Sequence, residues 1–118
     1  MKRTHLLPHL LLAAILAAPL AAQAHDFPTS GRVEYVLECM QKHDSKYEYL
    51  YKCSCVIDEI AKAMPYEDYV TMSTALRNQT LAGERGALFR DPVPVKEMAN
   101  KYKEIQASAS KACRVPQR

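Results

Sequence analysis

The residues of this sequence with the clearest chemistry are four cysteines, at positions 39, 53, 55 and 113. Cysteine sulfurs can bind metal, exchange electrons or cross-link a chain, and their spacing helps to separate these uses. Zinc sites favour two closely spaced pairs, whereas this chain has one close pair, and it has no Cys-x-x-Cys-His segment for haem. Because the chain also begins with an export signal, we predict that Cys39, Cys53, Cys55 and Cys113 form two structural disulfides.

The spacing of Cys53 and Cys55 limits how these disulfides can pair. Two residues apart on a helix, their side chains point about 200° apart, so each is expected to reach a different partner. Two pairings remain: Cys39–Cys53 with Cys55–Cys113, or Cys39–Cys55 with Cys53–Cys113. A short turn at residues 43–45 favours the first. Either pairing closes one loop of about 15 residues and one of about 60, which the chain-entropy model values at roughly 3 and 4 kcal/mol.

A thiol-disulfide redox protein is one alternative function for the Cys53-Ser54-Cys55 segment. Redox-active pairs usually lie at an exposed helix start beside groups that lower the thiol pKa. This pair falls in the middle of a predicted helix, with Lys52 as the adjacent cation. The position therefore favours a structural role.

His25 and His43 are the candidate ligands of another alternative, a periplasmic copper-binding protein. If a signal peptidase cuts after Ala24, His25 becomes the first residue, and its amine and imidazole can chelate copper(II). His43 is the other histidine left in the mature chain and can complete such a site. The leading interpretation of the sequence requires no cofactor.

The segment Gly83–Pro92 (GERGALFRDP) is the candidate partner-binding site. Arg85 and Arg90 can clamp a carboxylate or phosphate with two hydrogen bonds each, and Phe89 can anchor against a partner. The competing interpretation is an ordinary connector, in which the apolar residues fill the core and the arginines pair with neighbouring carboxylates. Seven tyrosines also fit either a partner-binding surface or the margins of a small core.

No catalytic residue is predicted from this sequence. It contains neither a Gly-x-Ser-x-Gly nucleophile segment nor a phosphate-binding loop, and two histidines remain after the expected cleavage. We therefore expect a non-catalytic protein.

The first 24 residues are typical of a cleaved signal peptide. A basic start, residues 1–5, is followed by an apolar run at residues 6–22 and by the small-x-small motif Ala22-Gln23-Ala24. The run is shorter than the roughly 20 apolar residues of a membrane span, and no cysteine marks a lipoprotein. We predict a periplasmic or secreted protein with one domain at residues 25–118 and no membrane span after cleavage.

The net charge gives no indication of nucleic-acid binding. The chain carries a formal charge of +3, and the signal removes Lys2 and Arg3, so the mature part is close to neutral. It has no basic tract and no tryptophan. A protein partner fits this composition better.

Apolar periodicity predicts four helices that would position these groups. The first begins after Thr29 or Ser30, with Val33, Val36, Leu37 and Met40 on its inner face, and the others cover about 46–64, 66–79 and 95–113. Residues 80–94 contain two glycines, two prolines and four charged side chains, and we expect no helix there. The predicted fold is all-α, an irregular four-helix array stapled by two disulfides.

Two segments resemble known groups of proteins. Residues 53–60 (CSCVIDEI), followed by 65–69 (PYEDY), resemble small secreted bacterial proteins with a Cys-x-Cys helix and no established activity. Residues 83–92 and the ending at Cys113 resemble small periplasmic proteins that accompany quinoprotein alcohol dehydrogenase systems. These resemblances imply a periplasmic accessory or binding role and supply no catalytic residues.

Overall fold

The structure is a computed structural model that describes residues 26–117, and this part of the chain is all-α. It contains five helices: α1 (Thr29–Gln41), α2 (Glu48–Ala63), α3 (Tyr66–Asn78), α4 (Gly83–Arg90) and α5 (Val93–Ala112). The all-α prediction and all four predicted helices are confirmed, and α4 is an additional helix. The predicted signal peptide and His25 lie outside the described residues.

The two disulfides pair as the turn at residues 43–45 favoured. Cys39–Cys53 joins α1 to α2, and Cys55–Cys113 joins α2 to the residue after α5, with Cα–Cα distances of 5.9 and 5.8 Å. Asp44 and Ser45 have positive φ angles of 57° and 53°, which tighten the turn between α1 and α2. Both cysteines of α2 therefore reach different neighbours, as the helix geometry requires.

The core lies where α2 meets the other long helices. Its most deeply buried side chains, Val56, Ile57 and Ile60 with Cys53, all belong to α2. α1 packs on α2, while α5 packs on both α2 and α3. The segment before α1 joins this core, because Phe27 is buried and the Asp26 carboxylate accepts a hydrogen bond of 2.6 Å from the Tyr66 backbone N–H. That contact satisfies a free N–H at the start of α3.

The predicted inner face of α1 is partly wrong. Val36 is buried as expected, but Val33 and Leu37 are about half exposed, and Tyr35 and Cys39 lie inside. The Cys39–Cys53 bond fixes which side of α1 faces α2. Apolar spacing alone did not include tyrosine or a bridged cysteine among the buried positions.

The helix α4 corrects the expectation that residues 80–94 contain no helix. Gly83 has a φ of +75°, so it provides the left-handed turn that leads into α4. Gly86 is buried against the segment that precedes α4, where a Cβ at position 86 would lie 3.0 Å from the Cβ of Leu81. The two glycines therefore serve the entry and the packing of α4, and Pro92 comes after its end.

Candidate functional site

The outer face of α4 is the first candidate site, and we call it, together with Val93 at the start of α5, the α4 surface: Arg85, Leu88, Phe89 and Val93. Leu88 is 74% exposed, Phe89 60% and Val93 67%, and Arg85 is also exposed. On the helical wheel Arg85 lies between Leu88 and Phe89, because three and four residues span about one turn. Apolar and cationic groups thus share one solvent-facing patch.

Hydrogen bonds at the end of α4 hold this surface in place. The Arg90 guanidinium donates a hydrogen bond of 2.6 Å to the Leu81 carbonyl oxygen. It also donates two hydrogen bonds, of 2.8 and 3.1 Å, to the Asp91 carboxylate. The Gln79 side-chain amide donates a hydrogen bond of 3.1 Å to the Arg90 carbonyl oxygen. The hydrogen bonds from Arg90 lower the pKa of Asp91 below its ordinary value. Arg90 is therefore an anchor of α4 in this structure.

The structure separates the three partner-binding residues predicted from the sequence. Arg85 and Phe89 lie on the α4 surface, whereas Arg90 is engaged by its neighbours. The connector interpretation was right about the Arg90–Asp91 pair and wrong about the core, since Leu88 and Phe89 both face solvent. Leu88 and Val93 were missed, because an apolar residue in a segment of unknown structure gives no sign of which way it points.

A second candidate site, the tyrosine pocket, is a cavity of about 400 Å³ between α1, α3 and α5. Tyr35, Tyr69 and Tyr102 form its walls, one from each of these helices. At its rim, Arg77 donates hydrogen bonds of 2.9 and 3.1 Å to the two carboxylate oxygens of Glu38. The rings of Tyr69 and Tyr102 are 6.0 Å apart in an edge-to-face arrangement.

Burial controls the chemistry of the three tyrosines. Loss of solvent raises the pKa of Tyr69 to about 12, and it also raises the pKa of Tyr102 and Tyr35. Tyr35 accepts a hydrogen bond of 3.3 Å from the Gln106 amide, which opposes part of that rise. At neutral pH all three phenols are therefore protonated, and their hydroxyls can donate hydrogen bonds.

The predicted metal ligand His43 is buried and lies flat against an aromatic ring. Its imidazole is 4.1 Å from the Tyr49 ring, centroid to centroid, with an angle of 4° between the planes. Within residues 26–117, no group of three or more histidine, cysteine or acidic side chains is arranged to hold a metal ion. His25 lies outside that range, so copper binding by His25 and His43 stays a prediction.

All four cysteines are oxidised in disulfides, so none is free to bind a metal as a thiolate. Cys53 is completely buried, and Cys39 and Cys113 are nearly so. Reactive cysteines are usually partly exposed and beside positive charge. The geometry of these sulfurs fits cross-linking better than redox exchange.

The seven tyrosines divide between the two uses left open by the sequence. Tyr47, just before α2, and Tyr51 on α2 are exposed, Tyr66 is partly buried, and Tyr35, Tyr49, Tyr69 and Tyr102 are buried. Among the helices described, none is long and apolar enough to cross a membrane.

Comparisons of the chain with protein-family models, with curated proteins and with solved structures found no match. The two candidate sites are therefore described from the geometry of this protein alone.

Proposed function

We propose that this chain is a non-catalytic periplasmic or secreted accessory protein that binds another protein through the α4 surface. One observation carries the proposal. Of the nine large apolar side chains that are exposed in residues 26–117, four lie between Leu81 and Val93. Exposed apolar groups gathered in one patch are typical of protein-protein contact sites, whereas scattered ones are ordinary.

The chemistry of the α4 surface fits a protein partner. Aromatic side chains and arginine are enriched in the centres of protein interfaces, and here Phe89 and Arg85 lie on one helical face. Because Arg90 and Gly86 fix α4 against the Leu81 segment, a partner meets a helix that is already formed. Prior ordering reduces the entropy that is lost on binding.

The proposed compartment rests on chemistry in two parts of the chain. Two disulfides in a small domain are typical of an oxidising environment outside the cytoplasm. The first 24 residues have the pattern of a cleaved export signal. The resemblance of residues 83–92 to proteins that accompany quinoprotein alcohol dehydrogenases makes such an enzyme the first partner to test.

The experiment compares two pairs of substitutions in the tagged full-length chain. Leu88→Ser with Phe89→Ser removes the apolar centre of the α4 surface, and Val33→Ser with Leu37→Ser is the matched control on α1. Proteins are cross-linked in cells, and the captured proteins are quantified by mass spectrometry. We expect a partner that the unaltered chain and the control capture equally and that the α4 variant captures about tenfold less.

Circular dichroism and the disulfide count establish that both variants are folded. Equal capture of every protein by both variants would overturn the proposal. Loss of capture with the α1 control alone would instead place the interface on the exposed face of α1.

A further inference from the structure

The tyrosine pocket contains polar groups that nothing in the proposed function uses. Tyr69 is 6% exposed and Tyr102 is 3% exposed, and both side chains line the cavity. Within residues 26–117, no hydrogen bond involves either hydroxyl, whereas the third phenol, Tyr35, is bonded to Gln106. Neither hydroxyl oxygen is fully enclosed by protein atoms, so both can be reached from the cavity and can donate a hydrogen bond to a molecule there.

We propose that the tyrosine pocket binds a small organic carboxylate with an apolar ring, held by the hydroxyls of Tyr69 and Tyr102. Both groups are donors, since burial keeps them protonated at neutral pH. A carboxylate offers two oxygens, each of which accepts hydrogen bonds, and charge-assisted bonds are stronger than neutral ones. The site is separate from the α4 surface, and the proposal does not depend on the function assigned to that surface.

The charges around the cavity favour an anion over a cation. Three cationic side chains, Lys42, Arg77 and Lys103, line the pocket, against one carboxylate, Glu38. Arginine and lysine near an apolar cavity raise the local concentration of anions. An ammonium ligand, which aromatic side chains can also bind, would meet this excess of positive charge.

At the rim of the pocket, Arg77 can exchange its ion-pair partner Glu38 for a ligand carboxylate. The Glu38–Arg77 ion pair is more than half exposed on both sides. Exposed ion pairs contribute little to stability, so a ligand carboxylate can compete for the Arg77 guanidinium at small cost. The pair therefore lies where a ligand would enter and can take part in binding it.

The size of the cavity sets the size of the ligand. A dry cavity of about 150 Å³ is enough for benzene, and this cavity measures about 400 Å³. The aromatic walls suit the face of a ring, while the hydroxyls suit its carboxylate. A monocyclic carboxylate with a short chain fits these dimensions.

The experiment titrates the purified full chain with three probes of one shape by calorimetry: 3-phenylpropionate, 3-phenylpropanol and 3-phenylpropylammonium. We expect saturable binding of the carboxylate, with the alcohol and the ammonium at least about tenfold weaker. The variant Tyr69→Phe with Tyr102→Phe keeps the rings and removes the donors. We expect it to bind the carboxylate about tenfold more weakly, whereas Tyr47→Phe, at an exposed residue just before α2, is expected to bind normally.

A second variant keeps the test independent of core folding. Lys42→Gln with Lys103→Gln changes exposed charges at the pocket, and we expect weaker carboxylate binding and a smaller effect of salt. No saturable binding of 3-phenylpropionate at millimolar concentration would overturn the proposal. Equal binding of all three probes, preference for the ammonium, or an unchanged affinity in the Tyr69 and Tyr102 variant would overturn it as well. We expect carboxylate binding to be unchanged by Leu88→Ser with Phe89→Ser, because the α4 surface is a separate site.

Discussion

Gly86 is the residue on which the packing of α4 depends most directly. A Cβ at this position would lie 3.0 Å from the Leu81 Cβ and 3.1 Å from the Leu81 carbonyl carbon. Alanine in place of glycine usually stabilises a helix by about 1 kcal/mol. Here the backbone of Leu81 would have to move, and overpacking costs about 1–3 kcal/mol.

We therefore predict that Gly86→Ala loosens α4 by roughly 1 kcal/mol in net free energy, against the usual trend. Hydrogen exchange of the α4 amides, followed by NMR, measures this local stability. Slower exchange in the variant, as expected of a free helix, would contradict the packing described here.

Arg90 and Arg85 provide a matched pair of arginines in the same helix. Arg90 donates to the Leu81 carbonyl and to Asp91, whereas Arg85 faces solvent. We predict that Arg90→Gln weakens protection of the α4 amides by about 1 kcal/mol. Arg85→Gln is expected to change it by less than about 0.5 kcal/mol. Equal effects of the two substitutions would show that Arg90 does not anchor α4.

The sequence could reveal residue types at this scale but not their directions. Helix geometry left two cysteine pairings, and one short turn favoured the pairing that the structure has. The exposure of Leu88 and Phe89 did not follow, because their positions depend on a helix whose glycines looked like helix breakers. The sequence predicts Arg90 as a partner-binding residue, whereas its guanidinium donates a hydrogen bond to the Leu81 carbonyl oxygen within the protein.

Among the elements, α2 carries both covalent links, and the two links close loops of different length. Cys39–Cys53 spans 14 residues and Cys55–Cys113 spans 58. In the chain-entropy model a longer loop restricts the unfolded chain more, which favours the second bond by about 1 kcal/mol.

We predict that Cys55→Ala with Cys113→Ala lowers the free energy of unfolding by about 4 kcal/mol, and Cys39→Ala with Cys53→Ala by about 3 kcal/mol. Urea unfolding of each variant, compared with the unaltered chain, gives both values. A larger loss from the shorter loop would show that packing around the buried Cys53, rather than loop length, decides the stability.

Four of the five helices could be predicted because their apolar residues repeat with helical spacing. The orientation of α1 could not be read completely in this way. Tyr35 is buried with its hydroxyl on Gln106 of α5, a contact that joins residues 71 positions apart. Such a contact leaves no local pattern in the sequence.

On the scale of the whole molecule, the buried tyrosines make the folded protein lose stability at alkaline pH. The ordinary tyrosine pKa of 10.0 is raised to about 12 for Tyr69 in the folded protein, and the pKa of Tyr102 is also raised. A raised pKa means that the folded state holds its protons more tightly than the unfolded state. This contribution is complete below pH 10 and is lost as the pH rises through about 12 and beyond.

We predict that absorbance at the tyrosinate band shows part of the seven tyrosines titrating only above pH 10, together with unfolding. The absence of tryptophan from the sequence leaves this signal undisturbed. Tyr69→Phe with Tyr102→Phe is expected to remove the titration above pH 10 that comes from these two residues. The free energy of unfolding is then expected to fall less steeply as the pH rises. If all the tyrosines titrated together near pH 10 in the folded protein, the buried environment of the pocket would be disproved.

The tyrosine pocket itself could not be predicted, since its walls come from three helices that are distant in sequence. Tyrosine count alone gave two uses for these residues and no position for either. The cavity exists only once α1 has packed on α2 and α5 has packed on both α2 and α3.

The placement of the two disulfides also determines what happens when the chain is cut. Their loops, residues 39–53 and 55–113, follow one another without overlapping. A protease that cleaves one peptide bond inside either loop leaves two fragments that a disulfide still joins, so they separate only after reduction. The two peptide bonds that flank Ser54 lie in neither loop, so a cut there would release two separate fragments. These bonds lie within α2, where helical hydrogen bonds shield them from a protease. A molecule nicked within either loop thus remains one covalent unit.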